Sequence, residues 1–287
     1  MKKLYYFLFF LISLSTLKSQ NKTLKFDHNY IDSENHWITV KNDKTPGQIF
    51  FAYLYFDESG GGYSLRSLGS FNYDNEKISD IKKSDNEKSA NIMRVPNAKI
   101  AFGWLDNFQV KDLGLPEVPL YMKVYNSIDD KNEKIVERAS SMNGLGDSKN
   151  AVAQLQKVYD NKFKSKKLYF EMAYALNALG NFEMAKKIAE EALTNNFKDE
   201  FIDKEYLYAL IHSNNLEIAD QFLKKNISEI KSPINREESI VNILNFASKN
   251  KQTVIFNYWL KFYYGEFSNN GKYKDAVKKF ESDINQK

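Results

Sequence analysis

Catalysis by an unaided side chain calls for a histidine, a cysteine or a tuned carboxylate pair. This chain of 287 residues offers no cysteine and three histidines. His28 and His36 lie eight residues apart, with Asp27, Asp32 and Glu34 beside or between them. They match no established metal-ligand spacing, and a solvated loop between two strands is the stronger reading. His212 closes a helical stretch just before Asn214, where a cationic or polar residue suits a helix C-terminus. The cluster Asp57, Glu58, Gly60, Gly61 and Gly62 lacks the Gly-Lys-Ser/Thr ending of a phosphate-binding loop. A strand follows it where that motif needs a helix, so it reads as a wide hairpin turn. Trp37, Tyr53, Tyr55, Tyr63, Tyr73 and Trp104 could form a sugar-binding platform, but rings in short strands are more often core or cross-strand pairs. The missing cysteines exclude disulfides, thiolate metal sites, a cysteine nucleophile and a lipid anchor through an N-terminal cysteine. No enzyme, cofactor or metal is expected.

The elements that would position any site begin after residue 20. Lys2 and Lys3 precede the uncharged run Leu4 to Leu14, and Ser15, Thr16, Ser19 and Gln20 follow. This is the layout of a secretory signal peptide cleaved after Ser19 or Gln20, with an apolar run shorter than the roughly 20 residues that span a bilayer. Export is therefore expected, to the periplasm or cell envelope rather than the medium, with no membrane span after cleavage. Removing Met1 to Ser19 takes Lys2, Lys3 and Lys18 and no acid. That leaves 38 basic residues against 37 acidic, a net charge of +1 in place of +4. Such a balance gives no electrostatic reason to bind nucleic acid or an anionic membrane.

Residues 21–125 are rich in β-branched and aromatic side chains broken by Asn-Asp, Gly-Gly and Pro signals, and read as a mostly antiparallel β domain. Trp37 to Lys41 and Gln48 to Asp57 are strand candidates. The second is apolar on both faces, hence central. Tyr63, Leu65, Gly69, Phe71 and Tyr73 occupy odd positions of the next strand, and Ile100, Phe102 and Trp104 alternate likewise. Asn75 to Asn91 is charged and reads as an exposed excursion. Leu115 to Leu120, with two prolines, is the exit from this domain.

From residue 126 apolar residues recur three and four apart, and residues 126–287 read as helical. An internal period of 34 residues runs through Gly146, Gly180, Asn214 and Ser248, through Ala151, Ala185, Ala219 and Thr253, and through Ala139, Ala173, Leu207 and Val241. A turn between paired helices wants Gly or Asn, and a small residue five positions on lets the second helix pack close to the first. Gly271 and Ala276 copy this motif out of phase, so a final helix, about Tyr273 to Asp283, is expected as a polar cap.

The clearest unit, Lys166 to Asp199, contains Ala173, Leu176, Gly180, Asn181, Phe182, Ala185, Ala192 and Leu193. It resembles the tetratricopeptide repeat family, and the resemblance extends from about Lys131 to Glu266, roughly half the chain. Ala189 and Phe197 depart from that family's aromatic and proline positions, and the unit from Ile234 keeps only Val241 and Leu244 well. The layout is also similar to exported repeat proteins of the Bacteroidetes group, which adds no chemistry. The resemblance implies an α+β chain in two domains, the β domain followed by an α-helical tetratricopeptide-type solenoid of about four helix pairs and a cap. It implies too that the first helix of each pair lines a concave groove. Carried onto this sequence, the groove positions include Lys167, Phe170, Tyr174 and Asn177, then Phe201, Lys204, Tyr208, Ile211 and His212, then Glu238, Asn242, Asn245 and Phe246. The family's Lys and Asn cradle for a C-terminal carboxylate is not reproduced. The expectation is a non-enzymatic scaffold binding a protein or peptide partner. The alternative is a glycan-binding module with the repeats as spacer.

Overall fold

The computed structural model describes residues 23–74, 77–84, 91–125, 128–268 and 270–285. The expected signal peptide, Met1 to Gln20, lies outside them. Among the described residues seven strands come first: β1 (Phe26–His28), β2 (His36–Lys41), β3 (Gln48–Asp57), β4 (Gly62–Asp74), β5 (Lys77–Lys83), β6 (Asn91–Arg94) and β7 (Phe102–Trp104). They form one antiparallel sheet in the order β1-β7-β2-β3-β4-β5, with β6 also paired to β4. Strand β3 is central because it is apolar on both faces. Phe51, Tyr53 and Tyr55 point one way, Ala52, Leu54 and Phe56 the other, and all six are buried. Each such large side chain removed from water contributes on the order of 2 kcal/mol.

Strand β4 departs from simple alternation. Phe51 pairs with Gly69 but Ala52 with Ser67, so Leu68 is an extra residue in a bulge. The odd positions therefore do not share a face. Tyr63 and Leu65 join the core on the side of Ala52 and Leu54, whereas Phe71 and Tyr73 join the opposite core with Phe51. Gly69 is required at the bulge, since a Cβ there would sit 2.1 Å from the Lys82 carbonyl oxygen and 2.5 Å from the Phe51 ring. The expected excursion at Asn75 to Asn91 is also corrected in part: Lys77–Lys83 is an exposed edge strand. No apolar face marks it in the sequence, and its lysines suit an edge that must not recruit another strand.

Ten α-helices follow among the described residues: α1 (Asn107–Asp112), α2 (Lys131–Gly144), α3 (Ser148–Asp160), α4 (Lys166–Ala178), α5 (Phe182–Thr194), α6 (Glu200–His212), α7 (Leu216–Asn226), α8 (Pro233–Lys249), α9 (Thr253–Phe267) and α10 (Lys274–Asn285). From α2 on, each even-numbered helix packs on the odd-numbered one after it, up to α9, and on the next even-numbered helix, as far as α10. N-caps are supplied by Asp130, Asp147, Ser165, Asp199 and Ser232, whose side chains accept backbone N–H groups of the first turn. Gly146, Gly180 and Asn214 hold the left-handed turn after α2, α4 and α6, at φ 79°, 77° and 61°. The fourth such residue is Lys251, at φ 54°, and not Ser248. Helix α8 is 17 residues long where α4 and α6 have 13, so its turn comes one helical turn late. The series of buried Ala151, Ala185 and Ala219 accordingly continues at buried Phe256 rather than at Thr253, which is exposed. No helix among the described residues is long and apolar enough to cross a membrane.

Sheet and helices share a core. Ala52, Leu54 and Phe56 lie in one cluster with Val136, Ala139 and Met142 of α2 and Leu155 of α3. The other face of the sheet meets Leu113 and, from a 3-10 turn at Leu120–Val124, Tyr121 and Met122. Polar ties cross the same boundary. Tyr30 donates to Asp147 at 2.7 Å, Arg138 pairs with Glu34, and the Ala98 N–H reaches the Leu145 carbonyl. The Asp57-Glu58 turn is part of this joint. Asp57 accepts from Ser59 and Gly60 and pairs with Arg94, while the side chain of Glu58, 3% exposed, pairs with Lys134 and accepts the Ile128 N–H. The turn latches the sheet to α2.

Candidate functional site

The even-numbered helices leave a cavity of about 360 Å³ between α4, α6 and α8, lined also by Tyr273 just ahead of α10. Its lining combines Tyr174, Asn177 and Ala178 of α4, Lys204, Glu205 and Tyr208 of α6, and Glu238, Val241 and Asn242 of α8. Tyr174, Asn177, Lys204, Tyr208 and Asn242 of the expected groove are thus brought together. Lys167 stands away from the cavity in an ion pair with Glu137. Phe170 flanks it, with ring centroids 6.3 Å from Tyr174 and 5.8 Å from Phe201. Asn245 is half-buried outside the lining. Ile211 is 1% exposed and belongs to the core with Ile240 and Leu244, so it is no contact surface.

The charges of the cavity are already engaged with one another. Lys204 pairs with Glu238 at 2.9 Å, and the Tyr273 hydroxyl donates to the other oxygen of Glu238 at 2.8 Å. Burial pushes the Glu238 carboxyl up, but the hydrogen bonds from Lys204 and Tyr273 outweigh it and hold the group below the usual carboxylate range. Glu205 behaves oppositely. It is 7% exposed, and burial raises it above that range despite a hydrogen bond from Asn177 and the charge of Lys204, with Glu171 and Glu238 adding repulsion. Asn177 gives its amide N–H groups to the Glu205 backbone carbonyl at 3.0 Å and to Oε2 at 2.9 Å. His212 caps one end of the aromatic wall, 4.1 Å from the Tyr208 ring and 4.9 Å from Phe182. Burial and Lys249 lower its pKa, which favours the neutral imidazole.

Sequence reasoning missed Glu205 and Tyr273. A signal for Glu205 was present: Asn143 and Asn177 are 34 residues apart, as are Glu171 and Glu205. Nothing in the 34-residue spacing points to Tyr273, because α10 is out of phase.

The remaining chemical candidates resolve into structure. Trp37, Tyr53, Tyr55 and Tyr63 are at most 4% exposed, so four of the six platform rings are core. His28 and His36 are not free in a loop. They stack on opposite faces of Trp104, with centroid distances of 3.8 and 4.3 Å, while the indole N–H donates to Ser33. Among the described residues no group of three or more potential ligands is placed to hold a metal ion.

The chain matches no family model and no curated protein.

Proposed function

We propose that the chain is an exported, non-enzymatic interaction protein of the cell envelope whose helices after α1 form a tetratricopeptide-type solenoid, and that its groove binds an extended peptide segment of a protein partner. The observation that carries the reading is the cavity between α4, α6 and α8, where exposed rings, amides and paired charges from three helices converge. Ring faces supply apolar contact area at low conformational cost, and Asn242 and the groove carboxylates supply hydrogen bonds to a peptide backbone or side chain. The solenoid reading is supported by residues 34 apart making the same contacts, as Asn143 to Glu171 and Asn177 to Glu205 do. The N-terminal sheet then serves as the cap that covers the first helix pair. Export rests on the layout of Met1 to Gln20, and the near-neutral mature charge argues for a protein partner over a nucleic acid.

The test is retention of a random peptide pool on the immobilised mature protein, compared with the double variant Tyr174→Ala, Tyr208→Ala. Both rings are partly solvent-exposed, so the variant keeps its fold, which a thermal melt checks. Loss of retention is expected. Equal retention by the two proteins sinks the groove reading.

A further inference from the structure

Two junctions between neighbouring even-numbered helices carry the same asparagine and glutamate and differ in what else reaches the carboxylate. In the junction of α2 with α4, Asn143 donates to the Glu171 carbonyl at 3.0 Å and to Glu171 Oε2 at 2.8 Å, and Ser140 donates to Oε1 at 2.6 Å. Each oxygen of that carboxylate has a donor. In the junction of α4 with α6, Asn177 repeats both bonds to Glu205, but the residue 34 positions after Ser140 is Tyr174. Tyr174 makes no hydrogen bond to Glu205, and no donor among the described residues reaches Glu205 Oε1. Glu205 is more than nine-tenths buried yet lines the cavity. Its Oε1 is not itself shut off from solvent, so a guest that covers the cavity must supply a donor in place of water, because a carboxylate oxygen desolvated without one is costly.

Resting on the groove reading, we infer that the cavity between α4, α6 and α8 receives a basic side chain of the bound peptide, arginine before lysine, which donates to Glu205 Oε1 and lies between the Tyr174 and Tyr208 rings. Charge complementarity favours this occupant. The lining carries two carboxylates against one lysine, and that lysine is held by Glu238. A guest cation also relieves the crowding of Glu205 by Glu171 and Glu238, which together with burial keeps its carboxyl above the usual range. The rings favour a guanidinium because it stacks on an aromatic face while donating in its own plane. A carboxylate guest would meet Glu205 and Glu238 with no free cation among the lining residues to receive it.

The experiment uses the mature protein and three pools of short, end-blocked peptides, random at every position except a central arginine, norleucine or glutamate. Binding of each pool is measured by fluorescence anisotropy to wild type, Glu205→Gln, Glu238→Gln and the Tyr174→Ala, Tyr208→Ala variant. The arginine pool should bind about tenfold more tightly than the norleucine pool, the glutamate pool most weakly, and Glu205→Gln should bring arginine and norleucine within about twofold of each other. Glu238→Gln, a change at a half-buried residue that leaves the fold intact, should weaken the arginine pool by a smaller factor. An arginine preference that survives Glu205→Gln, or no preference at all, overturns the inference. If the pools bind alike and the tyrosine variant loses them all, the groove binds peptide without the cation site. If no pool binds, both readings fall.

Discussion

The junctions of α2 with α4 and of α4 with α6 are built from the same pair of residues and differ by one neighbour. Asn143 and Asn177 each clamp a buried glutamate of the next even-numbered helix through its carbonyl and its carboxylate. Ser140 completes the first clamp, and Tyr174 leaves the second incomplete. The junction of α6 with α8 dispenses with the arrangement: the same positions are Ile211, buried in the core, and Ser239, which donates to the Asn235 carbonyl of its own helix. A polar clamp can therefore be replaced by apolar packing, as expected where a buried ionic group contributes little net stability. At Glu205 the clamp is retained with one carboxylate oxygen left without a protein donor beside the cavity, which is what the proposed cation site would account for.

The sharpest way to break this comparison is to remove the two asparagines. Asn143→Ala leaves the Glu171 carboxylate buried with Ser140 as its one remaining donor, and should cost about 3 kcal/mol in denaturant unfolding. Asn177→Ala should cost clearly less, because Glu205 borders the cavity and water can enter to replace the lost donors. Equal losses would mean that the two clamps are equivalent and that the open oxygen of Glu205 has no consequence.

Next in size is an effect of pH close to the second clamp. Asp203, in α6, is 4% exposed; its Oδ1 has no donor, and Lys198 approaches its Oδ2 only to 4.0 Å. Burial raises its pKa from 3.8 to about 6, against a lowering by Lys198. The folded protein then binds this proton more tightly than the unfolded chain does. The contribution to stability is greatest below the unfolded value and is lost as pH rises from about 4 through about 6. Asp203→Asn should therefore stabilise the protein by about 2 kcal/mol at pH 7 and by almost nothing at pH 4. Melts of both proteins at the two pH values measure it. A gain at pH 4 as large as at pH 7 would remove titration as the cause.

Smaller still, and aimed at the two glutamates themselves, is a pair of isosteric changes. Glu205→Gln relieves a buried carboxylate whose pKa burial has raised, and should stabilise the free protein at neutral pH, by less than Asp203→Asn does. Glu171→Gln keeps a carbonyl oxygen toward Asn143 and turns an amide N–H toward the Ser140 hydroxyl, which must then accept, so two charge-assisted bonds become neutral ones, and it should destabilise by about 1 kcal/mol. Opposite signs fit a closed clamp that serves the fold and an open one that costs stability for the sake of binding. Like signs would erase the distinction.

What could be read from the sequence follows from how local each signal is. Strands β2 to β4 announce themselves through apolar runs between turn residues, and the helices through their caps and their 34-residue spacing. The bulge at Leu68 was not legible, because Tyr63, Leu65, Phe71 and Tyr73 keep unbroken odd numbering while an extra residue moves half of them to the other face. Strand β5 has no apolar alternation at all, being held by backbone pairing to β4. Within the groove the exposed rings were legible by position. The 34-residue spacing of Asn143 with Asn177 and of Glu171 with Glu205 marks Glu205 as half of a clamp, but not as an open one, since that depends on the loss of the Ser140 hydroxyl from a place where Tyr174 stands, a contact between different helices.

The one-turn lengthening of α8 carries the smallest prediction. After α2 and α4 the left-handed turn is held by Gly146 and Gly180, after α6 by Asn214, and after α8 by Lys251. A glycine adopts positive φ without a Cβ clash, whereas lysine there costs on the order of 1 kcal/mol. Part of that is offset because glycine also loses more freedom on folding. Lys251→Gly should therefore raise stability by about 0.5 kcal/mol, reduced by the loss of the Lys251 ammonium donated to the Asp283 carbonyl of α10 at 2.7 Å. The double change Lys251→Gly with truncation of α10 before Asp283 separates the two effects. If the turn is strained as the other three are not, the glycine gain should be larger in the truncated protein, where that hydrogen bond no longer exists to be lost. A glycine change that destabilises in both backgrounds would mean that Lys251 holds its turn by contacts of its own, and that the late turn of α8 is as well adapted as the earlier ones.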